Sequence, residues 1–552
     1  MVKRRSINFR IFSDFSLPCA AMWCAVVIFV CICILFPLGC VLLTPRLSDF
    51  LSFFKSRASF EIMRNTALTC VCSTTLSVFT GFVYAFAVVR GEIPFAKFFA
   101  AIPILHLVTP PFVGGLSFIL LFGRQGFITH TILNLDVSFY GFFGLLLSQT
   151  LCFFPVAYLI CAETLRGISS NAEQAAFGLG ASGVRIFWTI TLPLSASGLI
   201  SAALFIAVSV LSDFGNPIIV AGRFRVLAVE IYTQLTGWLN AGTSAVLGLV
   251  LVFPSIVLFL LQNRLSKKNV LKIATVGAKS SNIPPKRRSI FSRIFLTVFC
   301  AVVSIAVLAQ FVSICLGAFQ KLWGINTAFT TEHIRAVFRY GIELRNTAIF
   351  SFVSALFSTL IAFFAAFLVN RTKMPLKSAI DSFVQLPAAV PGSLFGLAFS
   401  LASNKTGFRS SAVLIIIAIT VGFLPFSYRI LCTALSKIKT TLDDGAESLG
   451  AGKMRLLYEI LAPLCAGELF SAFLYDFVRG VGTMSAVIFL VSFGTPLASV
   501  KILNLADEGF WGKAAALALV LTILTFGVLA LGSIALKIKK KGIKNEKSAS
   551  VY

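Results

Sequence analysis

The sequence predicts an all-α polytopic membrane protein of about 12 transmembrane helices in two parallel six-helix repeats. Apolar residues make up 58% of the 552 and charged residues only 12%, a balance suited to lipid rather than water as solvent. The apolar residues fall into 12 runs, at roughly 22–43, 66–89, 96–122, 138–161, 197–220, 242–262, 294–317, 347–369, 377–402, 411–434, 467–492 and 514–536. Each is close to the ~20 residues that a helix needs to cross the hydrocarbon, and the runs are continuous rather than alternating, which selects helices over a barrel. Finally, a polar stretch between two runs recurs in the second half, where Gly450 and Pro463 repeat the spacing of Gly180 and Pro193, so the chain carries a duplicated device.

Basic residues precede the first run (Lys3, Arg4, Arg5, Arg10). The run is too long for a signal peptide, and Phe36-Pro37-Leu38-Gly39-Cys40 is a poor cleavage or lipid-attachment site, so an uncleaved first helix is expected. Residues 45–65, with Arg46, Lys55, Arg57 and Arg64, form a solvated external loop. Arg64-Asn65-Thr66-Ala67 opens the second run, and Arg345-Asn346-Thr347-Ala348 opens the eighth. The same register links Arg90 with Arg371, Pro110 with Pro391, Gly115 with Gly396, and Gly126 with Gly407, and it shortens by the recurring polar stretches. The halves therefore differ in length around the fourth run and its flanks.

The third and ninth runs carry Pro103, Pro110 and Pro111, and Pro387 and Pro391, beside Gly114, Gly115, Gly392 and Gly396. Proline frees a backbone carbonyl, so these helices should break where protein or a cavity can satisfy it. Asp213, followed by Phe214-Gly215-Asn216-Pro217, sits near the outer end of the fifth run, where a helix break is expected; Asp213 and Asn216 either line an outer gate or cap that break. An ionised side chain at a helix centre costs ~2.5–3.5 kcal/mol. Asp476 and Arg479, at i and i+3 in the eleventh run, are therefore expected to neutralise each other. Asp213, Asn216, Asp476 and Arg479 are the candidate pathway residues.

The net charge of +26 (47 basic, 21 acidic) does not point to nucleic acid, because the basic residues flank the runs. Dense groups lie at the N-terminus, at 264–293 and in the tail from Lys537 to Lys547, and the positive-inside rule makes all three cytoplasmic. The basic linker 263–293, with Ser280-Ser281-Asn282-Ile283-Pro284-Pro285 at its centre, separates a module at 1–262 from one at 294–552. Thirteen cysteines scattered through the runs read as small packing residues. The three histidines, His106, His130 and His333, stand in separate segments, so no metal site, cofactor site or nucleophilic triad is expected. Gly450-Ala451-Gly452-Lys453 is not a phosphate loop, since Met454 follows it and Glu447 occupies the place of the first glycine.

The recurring stretch reads Ala172-Glu173-Gln174-Ala175-Ala176-Phe177-Gly178-Leu179-Gly180-Ala181, then Ile190-Thr191-Leu192-Pro193. Its second copy reads Leu442-Asp443-Asp444-Gly445-Ala446-Glu447-Ser448-Leu449-Gly450-Ala451, then Ile460-Leu461-Ala462-Pro463. Each predicts a short amphipathic helix ended by a glycine of positive φ, then a second helix ended before proline. The pattern resembles the EAA loop of the membrane subunits of binding-protein-dependent ABC importers. Gln174 and Asp444 stand where that family usually has glutamate, and Gly445 replaces its first alanine.

The resemblance implies that the loops at about 163–195 and 435–465 dock on ATPase subunits through cytoplasmic coupling helices. The residues carried over are Glu173, Gln174, Ala175, Ala176, Gly180 and Pro193, and Asp443, Asp444, Gly445, Ala446, Gly450 and Pro463. It also implies two copies of an ABC ATPase and a periplasmic or extracellular substrate-binding protein as partners, with no enzyme activity and no cofactor in this chain. The expected location is the bacterial inner membrane, multi-pass, with both termini cytoplasmic. The one-chain duplication, Ser212-Asp213-Phe214-Gly215-Asn216-Pro217, and Ser485-Ala486-Val487-Ile488-Phe489-Leu490-Val491 with Phe493-Gly494-Thr495-Pro496 look most like ferric iron permeases. Thiamine, phosphonate and polyamine permeases are close alternatives. An ion-coupled secondary transporter shares the two parallel halves, but calls for acids in several spans and has no need of paired polar loops.

Overall fold

A computed structural model of the protein describes residues 17–132, 134, 139–168, 170–275 and 289–549. The basic N-terminal group, Lys279, Lys286, Arg287, Arg288 and the segment 280–285 lie outside the described residues. The described chain is mainly α-helical, with one short antiparallel hairpin formed by Gln320–Leu322 and Asn326–Phe329. Ten of its helices are long and apolar enough to cross a membrane, or 12 if each of two bent helix pairs is one span. These fall on the 12 runs of the sequence.

Proline chemistry places the breaks. The third run is interrupted at Thr109-Pro110, between helices Ala96–Val108 and Pro111–Phe122, because a proline cannot donate the bond that would carry the helix onward and restricts the residue before it. Pro103 lies inside the first of these helices. In the ninth run, Lys377–Ala389 and Gly392–Thr406 meet at 108° around Val390-Pro391. The fifth run ends as a regular helix at Leu211, and a short helix, Gly215–Val220, resumes after Asp213.

The chain forms two compact units. One contains residues 46–338 and 502–519; the other contains 1–45, 339–501 and 520–552. Each unit is thus built mainly from one half of the sequence but includes the first long helix of the other half. In the first unit, helix Ile290–Phe319 packs against the helices of runs two and three. There Tyr84 Oη lies 2.9 Å from Ser304 Oγ and donates to the carbonyl of Phe99 (2.8 Å), while Arg293 Nε donates to the carbonyl of Glu92 (3.0 Å). In the second unit, the helical segment Leu17–Leu43 packs against the helices of runs eight to ten, with Trp23 Nε1 donating to the carbonyl of Pro375 (3.2 Å). The compact units differ from the covalent modules 1–262 and 294–552 by this exchange and by residues 502–519, which group with the first unit.

Small and hydroxylated residues line the contact faces. Helix Arg57–Arg90 buries Thr66, Thr69, Ser73, Ser77, Thr80 and Gly81, and a β-carbon built on Gly81 would fall 2.4 Å from that of Ala157 on helix Phe142–Gly167. With lipid outside there is no hydrophobic drive for helices to associate, so close backbone approach and van der Waals contact hold them together.

Candidate functional site

The two recurring stretches fold alike. Helix Ser170–Gly178 ends with Leu179 N donating to Ala175 O, Gly180 N to Phe177 O and Ala181 N to Ala176 O. Helix Thr441–Ser448 ends with the matched set, Leu449 N to Gly445 O, Gly450 N to Glu447 O and Ala451 N to Ala446 O. This closure needs a residue in the left-handed region, and Gly180 (φ +81°) and Gly450 (φ +79°) supply it.

The helix after each glycine does not end before the proline as its sequence suggests. Gly183–Ile186 runs through a wide π-type turn, Phe187–Thr191, into the long helix Leu192–Leu211, with Pro193 near that helix's start. Lys453–Arg455 likewise passes through Leu456–Leu461 into Ala462–Leu464 and, after a 75° bend, Ala466–Val481. The first turn of a helix tolerates proline because its N–H lacks an internal partner there, and the widened turn before it relieves the i−4 clash.

Within each short helix the acidic residue at the head faces inward. Glu173 is 1% exposed and Asp443 8%, whereas Ala175, Asp444, Gly445, Pro193 and Pro463 are exposed, and Gln174 and Ala176 are half-buried. Ala446, one turn beyond Asp443, shares its buried face.

The inward acids meet two arginines to which the sequence reading assigned no role. Arg371 is the last residue of helix Gly341–Arg371. Its Nη1 donates to Asp443 Oδ2 (2.8 Å), while its Nη2 donates to the carbonyls of Leu435 and Ile438 (both 2.6 Å) at the end of helix Ser411–Lys437. Arg90, the last residue of helix Arg57–Arg90, repeats the arrangement: Nη1 is 3.6 Å from Glu173 Oε2, and Nη2 donates to the carbonyls of Leu165 (3.0 Å) and Ile168 (2.7 Å). Thus one planar guanidinium donates to two carbonyls at a neighbouring helix's C-terminal end and pairs with a carboxylate on a third element. Only the first copy adds a hydroxyl, with Thr191 donating to Glu173 Oε1 (2.9 Å); position 461, which matches Thr191, is leucine. Lys453, the lysine of the rejected phosphate-loop match, pairs with Glu447.

The candidate pathway residues separate into two clusters. Asp213 Oδ2 accepts from Gln149 Nε2 (2.9 Å) and Asn216 Nδ2 (3.0 Å), and its Oδ1 accepts from the Asn216 backbone N–H (3.3 Å). Ser148 donates to Asn216 Oδ1 and Ser73 to Gln149 Oε1, both at 2.8 Å. Asp213 therefore caps the helix break and anchors a buried network; the void beside it, bounded by Thr66, Gln149, Asp213 and Pro217, measures only ≈10 Å³.

Asp476 is 1% exposed and accepts from Ser427 Oγ (2.7 Å). The expected pair with Arg479 is not among the ion pairs of the described residues. Positions three apart on a helix diverge by about 60°, and the short Asp476 side chain is committed to the helix that carries Ser427. Sequence spacing alone could not reveal Gln149, Ser148, Ser73 or Ser427 as partners. The matching of Arg90 with Arg371 was the one signal that pointed to the arginines.

The model of the family described as "Binding-protein-dependent transport system inner membrane component" matches residues 73–270 and again 358–540. The chain is 28% identical to the ferric transport system permease protein FbpB of Actinobacillus pleuropneumoniae, over 88% of this chain and 74% of that protein. It is also 28% identical to a putative ferric transport system permease, FbpB 1, of Haemophilus influenzae, over 84% of this chain and 78% of the relative. The sulfate permease CysW of Synechococcus elongatus is 26% identical over 40% of this chain and 81% of its own length. With two copies of the family's domain spanning most of its helices, the chain belongs to the inner membrane components of binding-protein-dependent transport systems.

Proposed function

We propose that this protein is the membrane-spanning permease of an ABC importer that moves ferric iron, received from an external binding protein, across the inner membrane. The observation that carries the substrate is the naming of relatives that align through both modules: three ferric permeases of the FbpB type align with 84–88% of this chain, whereas the sulfate and molybdenum permeases align with 34–40% of it. ATP is hydrolysed on a partner chain, two copies of which dock on the short helices Ser170–Gly178 and Thr441–Ser448. Their exposed tips carry Leu179 and Leu449, each 90% exposed, apolar anchors suited to a groove on another protein. The covalent modules 1–262 and 294–552 each supply one such tip, and both termini, the linker and both short helices are cytoplasmic.

Ferric iron is a hard cation that prefers several anionic oxygen ligands. Among the described residues no three of His, Cys, Asp and Glu come together to hold a metal. In this reading the permease passes iron through a weakly binding path, and tight chelation belongs to the binding protein.

Uptake of radiolabelled ferric ion by proteoliposomes holding permease, ATPase and iron-loaded binding protein should depend on ATP and on all three components. Uptake of sulfate or thiamine but not of iron would refute the substrate. Reporter fusions should place the C-terminus in the cytoplasm; an external C-terminus would refute the topology.

A further inference from the structure

We propose that Arg90 and Arg371 are positioning residues for energy transmission, each locking a docking helix to the membrane helices behind it so that the three elements move as one body. The inference rests on the docking reading above. Without the arginine, helix Thr441–Ser448 would be tied to the rest of the chain mainly by its connections, Ile438 to Thr440 on one side and Leu449 to Gly452 on the other. Force applied at Leu449 would then bend those connections instead of displacing helices. The guanidinium removes that slack: it terminates its own helix, caps the neighbouring helix at Leu435 and Ile438, and holds Asp443. All three contacts recur at Arg90, whose partners Leu165, Ile168 and Glu173 stand at the positions that match Leu435, Ile438 and Asp443 in the repeat, and this recurrence argues against a chance packing contact.

The copies differ in redundancy. Glu173 is also held by Thr191. Asp443 has leucine at the matched place, its Oδ1 has no hydrogen-bond partner among the described residues, and Arg371 is the partner of its Oδ2. The second lock thus depends on one side chain, and removing that chain strands a buried carboxylate.

The test uses the complete importer in proteoliposomes, with co-purification of the ATPase as the measure of docking and iron moved per ATP hydrolysed as the measure of transmission. Arg371→Ala should lower iron moved per ATP about tenfold, and Arg90→Ala about threefold, with the ATPase still bound. Where Arg371→Ala does not assemble, Asp443→Asn, which keeps an acceptor oxygen but loses the charge, should assemble and lower the ratio about threefold. Arg371→Lys keeps the charge without the planar fork and should recover only part of the loss. An unchanged ratio in assembled Arg371→Ala or Asp443→Asn importers would overturn the lock and leave docking standing. ATPase binding that survives Leu179→Asp with Leu449→Asp would instead overturn the docking reading itself.

Discussion

The two halves of this permease agree at their short polar helices and disagree inside the membrane. Arg90 and Arg371 make the same three contacts, and Gly180 and Gly450 make the same turn. The candidate pathway acids Asp213 and Asp476, by contrast, sit at unmatched positions. Asp213 and Gln149 of the first half correspond in the repeat to Thr483 and Ile419, while Asp476 and Ser427 of the second correspond to Ile206 and Ala157. Ile206 and Ala157 form an apolar cluster with Val210. Asp213 and Asp476 thus each have their own hydrogen-bond donors, at positions where the other half has no acid. The polar turn keeps its geometry in both copies, whereas an interior needs only that each polar group find a donor.

The most severe way to break this comparison is to give the first half the second half's acid. Ile206→Asp would bury a carboxylate where Ala157 offers no hydroxyl, at a cost of ~3 kcal/mol or more. Size-exclusion profiles of the detergent-extracted protein should show loss of the monodisperse peak, partly restored by adding Ala157→Ser. Next, Asp213→Ala strands the amide donors of Gln149 and Asn216 and should destabilise by ~2–4 kcal/mol in thermal melts, while Asp476→Ala releases the single hydroxyl of Ser427 and should cost ~1 kcal/mol or less. Equal losses would mean that the two acids are equally integrated, contrary to their hydrogen bonds. Gly180→Val and Gly450→Val should each impose ~1–2 kcal/mol of left-handed strain and reduce uptake to similar extents, because no side chain crowds either glycine. The smallest effect should come from Leu461→Thr, which gives Asp443 the hydroxyl that Glu173 already has; a gain of ~0.5–1.5 kcal/mol in melting stability is expected.

Much of this was legible in the sequence because lipid simplifies the code. Twelve apolar runs gave twelve spans or broken spans, and the prolines at 110 and 391 marked the interruptions. The Gly180 and Gly450 turns followed from the one conformation that glycine accepts cheaply. What escaped was pairing at a distance. Nothing local to Arg371 announces Asp443, 72 residues on, and hydropathy cannot say which half a helix packs against. The Asp476 and Arg479 spacing misled because opposite charges three apart do attract on a solvated helix surface, whereas here a buried serine on a neighbouring helix claims the acid. The continuation of the helices through Pro193 and Pro463 was hidden because a π-type turn leaves no residue signature.

The exchange of first helices also sets a timetable for synthesis. Helix Leu17–Leu43 emerges well before its companions, which within its compact unit begin at residue 339, and the carbonyl that Trp23 bonds is 352 residues downstream. At roughly 5–20 residues per second, about 20–70 s of translation separate Trp23 from Pro375. During that interval the segment waits in the bilayer without its final neighbours. It is the most apolar of the ten candidate spans, a composition that makes lipid an acceptable companion until the second half arrives.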